Sequence, residues 1–235
     1  MSGEITYDLL WSLLKPNTFA YTTCPGTKKP RCIKYDFGEE KTLSDGEEYF
    51  HIRGRYVDFD GEIFGEVSIE TGILKFRGSV PINSLDVFPL QYHQNENQVR
   101  ADLVECGQKF ASLRSVQHLQ YYGKAFQVKK GKAVAISVSS RIIVDTAQFR
   151  KINPNYVRPT IKTRNSRSSD SNIIDLDFFG DLPPPPAEAN QVKVNGVDLD
   201  LQDEDNLIIC SPTVLGFSLN DKLWCKKPCL ATNDL

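Results

Sequence analysis

Two Gly-Lys pairs, Gly123-Lys124 and Gly131-Lys132, are the nearest this sequence comes to a phosphate-binding loop. Such a loop needs another glycine five residues ahead of the pair, so that backbone amides can wrap the phosphates. It also needs Ser or Thr after the lysine, to reach the accompanying metal ion. His118 and Phe126 hold the earlier positions and alanine follows both lysines, so neither pair qualifies. The stretch Asp58-Phe59-Asp60-Gly61-Glu62 has the composition of a calcium loop. Setting Gly61 at the turn position, however, puts Tyr56 where the first carboxylate belongs and Val67 where the closing glutamate belongs. Asp60-Gly61 is better explained as a hairpin turn. There is no H-E-x-x-H, and Gly216-Phe217-Ser218-Leu219-Asn220 lacks the closing glycine of a nucleophile elbow. His51, His93 and His118 have no nucleophile near them in sequence and read as surface or hydrogen-bonded core histidines.

The six cysteines, at 24, 32, 106, 210, 225 and 229, contain no C-x2-C pair. Cys225-Lys226-Lys227-Pro228-Cys229 is the closest approach to a metal or redox motif, and it reads as two free thiols in a loose tail. The chemistry-bearing residues therefore predict no catalytic, cofactor-binding or metal-binding site, and no ATP binding by this chain itself.

Two segments have the character of partner contacts. Lys129, Lys130 and Lys132 make a basic hairpin tip, which is more simply a solvated turn than a nucleic-acid contact. Ile173 to Asp181 sets Leu176, Phe178 and Phe179 among acids within a polar stretch. Segments of this composition dock into grooves and order on binding. The same phenylalanines could equally pin the stretch to its own domain.

Charge divides the chain. Residues 1–164 carry 23 basic and 18 acidic side chains, and residues 165–235 carry 5 and 12, for an overall formal charge of -2. A mildly basic body with an acidic end is not the footprint of a general nucleic-acid binder or a polybasic membrane module. No apolar run reaches the length of a membrane span, and Glu4 stands where a signal peptide would carry positive charge. An intracellular protein, cytoplasmic or nuclear, is expected.

Local patterns then supply the elements that hold these residues. Leu9, Leu10, Leu13 and Leu14 predict a short helix over 6–15, capped by Thr6, ended by Pro16, with Trp11 packed beneath it. Strands are expected at 19–23 and 32–37, then at 49–59, with a return strand after Asp60-Gly61 that turns at Thr71-Gly72. Val99, Leu103, Cys106, Phe110 and Leu113 form one apolar stripe, which predicts a long helix over 95–113 that opens on an Asn95–Gln98 capping box. Gly107 inside it costs about 1 kcal/mol of helix propensity, which points to close packing there. Strands at 118–128 and 133–144 and a short helix at 145–152 follow, and Leu207 to Cys210 and Val214 to Leu219 regain strand character. Together these predict an α+β fold, mainly antiparallel, with the sheet curled like a barrel or sandwich. The chain divides into a β-rich body over 1–157, a disordered Ser/Pro/acid-rich loop over 158–205, final strands rejoining the body over 206–224, and a tail over 225–235.

Several segments in order resemble the N-terminal domain of fungal AAA-type ATPases. They are Leu9-Leu10-Trp11 with Lys15-Pro16-Asn17, Gly54 to Gly61 with Phe64-Gly65, Phe88 to His93, Arg150 to Tyr156, and Cys210 to Trp224. In that family this domain has no known function and precedes an ATPase module. Here the sequence after Trp224 diverges from the family's continuation. The resemblance implies a non-catalytic binding or regulatory domain with a protein partner. Two alternatives remain open: an uncharacterised ligand-binding or enzymatic β-domain, and a weak nucleic-acid binder.

Overall fold

A computed structural model describes residues 3–24, 26–129, 132–153, 199 and 201–229. Leu176, Phe178 and Phe179, and most of the stretch predicted to be a disordered loop, lie outside the described residues, as does the tip residue Lys130.

The strands, in chain order, are β1 (Glu4–Thr6), β2 (Phe19–Thr23), β3 (Pro30–Thr42), β4 (Glu48–Phe59), β5 (Phe64–Leu74), β6 (Ser79–Pro81), β7 (Phe88–Pro89), β8 (Gln117–Lys129), β9 (Lys132–Val144), β10 (Thr213–Ser218) and β11 (Leu223–Pro228). The helices are α1 (Leu10–Leu13), α2 (Glu96–Ser112), α3 (Thr146–Ile152) and α4 (Glu204–Ile208). Five strands form one antiparallel sheet in the order β5-β4-β3-β2-β7, β8 to β11 close into a four-stranded barrel, and β1 pairs with β6. The fold is α+β and mainly antiparallel.

Both faces of the five-stranded sheet are covered, and β4 shows how. Its even residues Phe50 and Ile52 point into one core with Leu10, Leu14, Ile33, Ile69 and Val87, beneath the N-terminal segment. Its odd residues Val57 and Phe59 point into the other core, shared with α2, α4 and the barrel through Leu103, Phe110, Ile142 and Ile208. Beyond Lys34↔Arg55, β3 leaves β4, and the chain after α4 takes its place: the Val57 amide donates to Ile209 O and the Ser211 amide to Val57 O, each at 2.9 Å.

Several local expectations need correction. The helix expected over 6–15 is only α1 preceded by a 3-10 turn at Tyr7–Leu9, because Glu4–Thr6 is drawn into pairing with β6. Trp11 is not packed beneath that helix: Leu10 and Leu14 turn inward and Trp11 is 69% exposed. Thr71-Gly72 is not a turn, since β5 runs unbroken to Leu74 with Gly72 opposite His51. The glycine is there because a Cβ would lie 2.7 Å from the Tyr49 ring that covers it. Leu207 and Ile208 are helical, not extended. Asp203 caps α4 through the Asp205 amide at 3.1 Å, and a Cβ at Gly107 would lie only 2.3 Å from Leu207 O, so α4 rests on the bare backbone of α2. At the N-terminus of α2, Asn95 makes no side-chain cap and Gln98 reaches forward to Asp102 instead, at 2.8 Å. Asp145 does cap α3, accepting from the Gln148 amide at 2.8 Å. Finally, the stretch from Cys225 to Cys229 is no loose tail. It lies mostly within β11, and both its cysteines are buried.

Candidate functional site

Period two along β4 assembles the most developed polar surface among the described residues. Tyr49, His51, Arg53 and Arg55 share the face that continues into Val57 and Phe59 but run past the covering layer of α2 and α4. Register supplies their neighbours. Arg53 stands opposite Phe37 on β3 and Glu70 on β5, and His51 stands opposite Glu39 and Gly72. The result is a cross-strand ladder of ion pairs, in which opposite charges on facing strands favour the pairing.

At one end, Arg55 donates to Glu66 at 3.0 Å, to Asn17 at 2.7 Å and to Asp36, the residue bulged out of β3 between Tyr35 and Phe37. In the middle, Arg53 meets Glu70 at 3.3 Å with its guanidinium 5.6 Å over the Phe37 ring. At the other end, His51 Nε2 is 3.3 Å from Glu70 and Nδ1 is 3.8 Å from Glu39. Lys41 hydrogen-bonds Glu39 and holds its carboxyl below the usual carboxylate range.

This face is incompletely satisfied. His51 is 5% exposed, yet its Nδ1 has no hydrogen-bond partner, and neither do the buried Arg53 Nε and Ser68 Oγ. Ser68 pairs with Arg55, so all three atoms belong to one face. Buried polar atoms are nearly always bonded in native proteins, and each exception calls for an explanation. Phe37 and Leu74 on the same face are 41% and 48% exposed. Exposed Phe37 and Leu74 beside the exposed charges of Glu39 and Lys41 suit contact with a second surface of mixed polarity.

A second cluster lies where the sheet meets the barrel. Asp58 Oδ1 accepts from the Phe59 amide at 2.8 Å, and Oδ2 lies 3.4 Å from Tyr56 Oη. Burial pushes its carboxyl up, opposed by that amide and by Lys226, Arg31 and Arg150. Arg31 stacks 4.3 Å over Tyr56, and Arg150 donates to Phe59 O at 3.2 Å. These contacts tie β3, β4, α3 and β11 together, which is a structural duty.

The histidines do not converge. His93 packs on Tyr21 and Phe88 and accepts from the Asn95 amide at 3.1 Å, while His118 is exposed on β8. Among the described residues no group of three or more His, Cys, Asp or Glu is placed to hold a metal ion, and no helix is long and apolar enough to cross a membrane. The ladder was missed from sequence because its members are 11 to 19 residues apart in the chain. The alternation of Tyr49, His51, Arg53 and Arg55 was the one available signal.

Compared with family models, residues 1–94 match a domain of unknown function (DUF7025). That span holds the five-stranded sheet, the β1–β6 pair and every member of the ladder, and it stops just before α2. No curated protein and no solved structure matches the chain.

Proposed function

We propose that this chain is a non-catalytic binding or regulatory module and that the charged face of β3, β4 and β5 recognises a protein partner. The observation that carries this reading is exposed Phe37 and Leu74 set on one face beside the exposed charges of Glu39 and Lys41. A partner surface of complementary charge would pair with Glu39 and Lys41, and its apolar side chains would cover Phe37 and Leu74. Opposed charges on the ladder give such a contact register and specificity more than raw affinity. The resemblance to the N-terminal domain of fungal AAA-type ATPases supports a finer reading, in which the module offers partners or substrates to an intracellular ATPase.

The test is photo-crosslinking in cells from a benzoylphenylalanine placed at Phe37, with the same probe at the exposed Val116 as control. A discrete adduct from position 37, lost on Arg53→Ala in a protein that keeps its melting temperature, supports the reading. Identical adducts from both positions would refute the surface, and ATP turnover by the purified chain above contamination controls would refute the absence of catalysis.

A further inference from the structure

The hairpin of β8 and β9, from Gln117 to Val144, carries Lys124, Lys129, Lys130, Lys132 and Arg141 and not one Asp or Glu. Register divides its two faces. Tyr121, Ala125, Val138 and Ile142 are buried in the barrel core. On the outer face Gln120 stands opposite Arg141, Tyr122 opposite Ser139 and Lys124 opposite Ser137. Tyr122 is 52% exposed, a large ring left uncovered in the middle of this face. Its hydroxyl accepts from Gln120 Nε2 at 2.9 Å, which restrains the ring. Lys124 and Arg141 are exposed, and among the described residues neither is ion-paired. Asp221 lies on the turn that reaches Arg141 O through the Leu219 amide, but it accepts from Ser218 Oγ at 2.6 Å instead.

We propose that this outer face binds single-stranded nucleic acid, with a base stacked on Tyr122 and phosphates held by Lys124 and Arg141. The lysine tip alone reads as a solvated turn. Register adds the uncovered ring and the two unpaired cations behind it. Phosphate attraction combined with stacking on aromatic side chains is how proteins hold single strands, whatever their sequence. A duplex hides its base faces between neighbouring pairs, so it leaves Tyr122 unused. An acidic peptide offers the charge but no flat ring to match. The chain's formal charge of -2 does not oppose the contact. Charges farther away than a Debye length, about 8 Å at physiological salt, are largely screened, so the hairpin's own charge governs what it meets. The strand from Gln120 to Lys129 runs about 30 Å, long enough to follow several nucleotides toward the basic tip. The inference concerns the barrel and stands independently of the ladder.

Fluorescence anisotropy tests it. A labelled oligodeoxythymidine of about twenty nucleotides, longer than one such site, is titrated with the purified chain at several salt concentrations. Saturable binding that weakens as salt rises is expected. Tyr122→Ala should weaken it at least about fivefold at constant salt, the loss of one stacked base. Arg141→Ala should reduce the slope of log K against log salt by about 0.7, the share of one phosphate on a single strand. Lys15→Ala removes an exposed lysine from another part of the chain and should change the affinity less than about twofold. The three side chains are exposed, so each variant should keep the wild-type melting temperature. Absence of saturable binding at low salt overturns the proposal, as does a Tyr122→Ala protein that loses no more affinity than Lys15→Ala. Competition by a duplex of the same length, or by polyglutamate, as effective as unlabelled single strand also overturns it, since the face would then take any polyanion or an acidic protein.

Discussion

Replacing Gly107 by alanine should destabilise the protein, although alanine is the better helix former. In an unpacked helix the exchange gains about 1 kcal/mol. Here the new methyl would stand 2.3 Å from Leu207 O, 2.8 Å from its carbonyl carbon and 2.9 Å from its Cα. Backbone must therefore retreat by about 1 Å to reach van der Waals distance. The retreat is resisted, because Leu207, Ile208 and Ile209 are all buried and Ile209 and Ser211 are bonded to Val57 on both sides. Overpacking against a core costs about 1–3 kcal/mol, and weakening two backbone hydrogen bonds adds about 1 kcal/mol each. Net of the propensity gain, Gly107→Ala should lose about 2–4 kcal/mol. With a urea slope near 3 kcal/mol/M, that lowers the midpoint by roughly 1 M. Hydrogen exchange should show the Val57 and Ser211 amides opening faster. Ala101→Gly, exposed on the same helix, should lose only the propensity difference and leave those amides alone. A Gly107→Ala protein with an unchanged or higher midpoint would refute the close docking of α4 on α2.

Arg55→Lys keeps the charge but loses the fork that serves Glu66, Asn17 and Asp36 together, so about 1 kcal/mol of stability should go. The difference from wild type should shrink in high salt, and a salt-independent loss would mean that packing, not charge, was removed. Asp58→Asn tests burial of the carboxyl. Because its folded value is raised, its contribution is fully present below the ordinary carboxyl range and is lost as pH climbs through the raised value. The wild type should therefore compare better with Asp58→Asn at about pH 3 than at about pH 7 in urea melts, and a constant or reversed difference would contradict this. Trp11→Ala should change stability by less than about 0.5 kcal/mol and remove the more red-shifted, more quenchable part of the tryptophan fluorescence, since Trp224 is packed between Phe149 and Phe217.

What could be read in advance followed from local periodicity. The period-two pattern of β2, β4, β8 and β9 and the apolar stripe of α2 depend only on neighbours within a few residues, and those elements lie close to where they were expected. Competing local signals were harder to weigh. Leu207-Ile208-Ile209-Cys210 is a short apolar run that suits a strand or a buried helix equally. Asp203, Glu204 and Asp205 before it were the N-terminal helix signal that decides the matter. Gly72 looked like a turn because nothing local announces that a ring two positions along the neighbouring strand will cover it. The ladder depends on register. Arg53 meets Glu70 and His51 meets Glu39 only once β3, β4 and β5 are aligned, with Asp36 bulged out.

The match to residues 1–94 suggests a unit that ends where α2 begins, and the packing argues against its independence in this chain. Cys32, Val57, Phe59, Phe64 and Leu90 belong to that span, yet they are buried in the core shared with α2, α4 and the barrel. Cutting the chain after residue 94 would expose five largely apolar side chains at about 1.5–3 kcal/mol each, on the order of 10 kcal/mol in all. That equals the whole stability of a typical domain. The fragment would also lose the Ile209 and Ser211 hydrogen bonds that replace β3 along the far half of β4. Fragment 1–94 alone should therefore show a collapsed or unfolded amide spectrum by NMR, and mixing it with a fragment from 95 onward should restore dispersion. A well-dispersed spectrum from 1–94 alone would mean that the second core contributes far less than its burial implies. If the fragment behaves as expected, the ladder is held in register by the residues beyond the matched span, and the recognition surface proposed for the first part of the chain depends on the fold of the second.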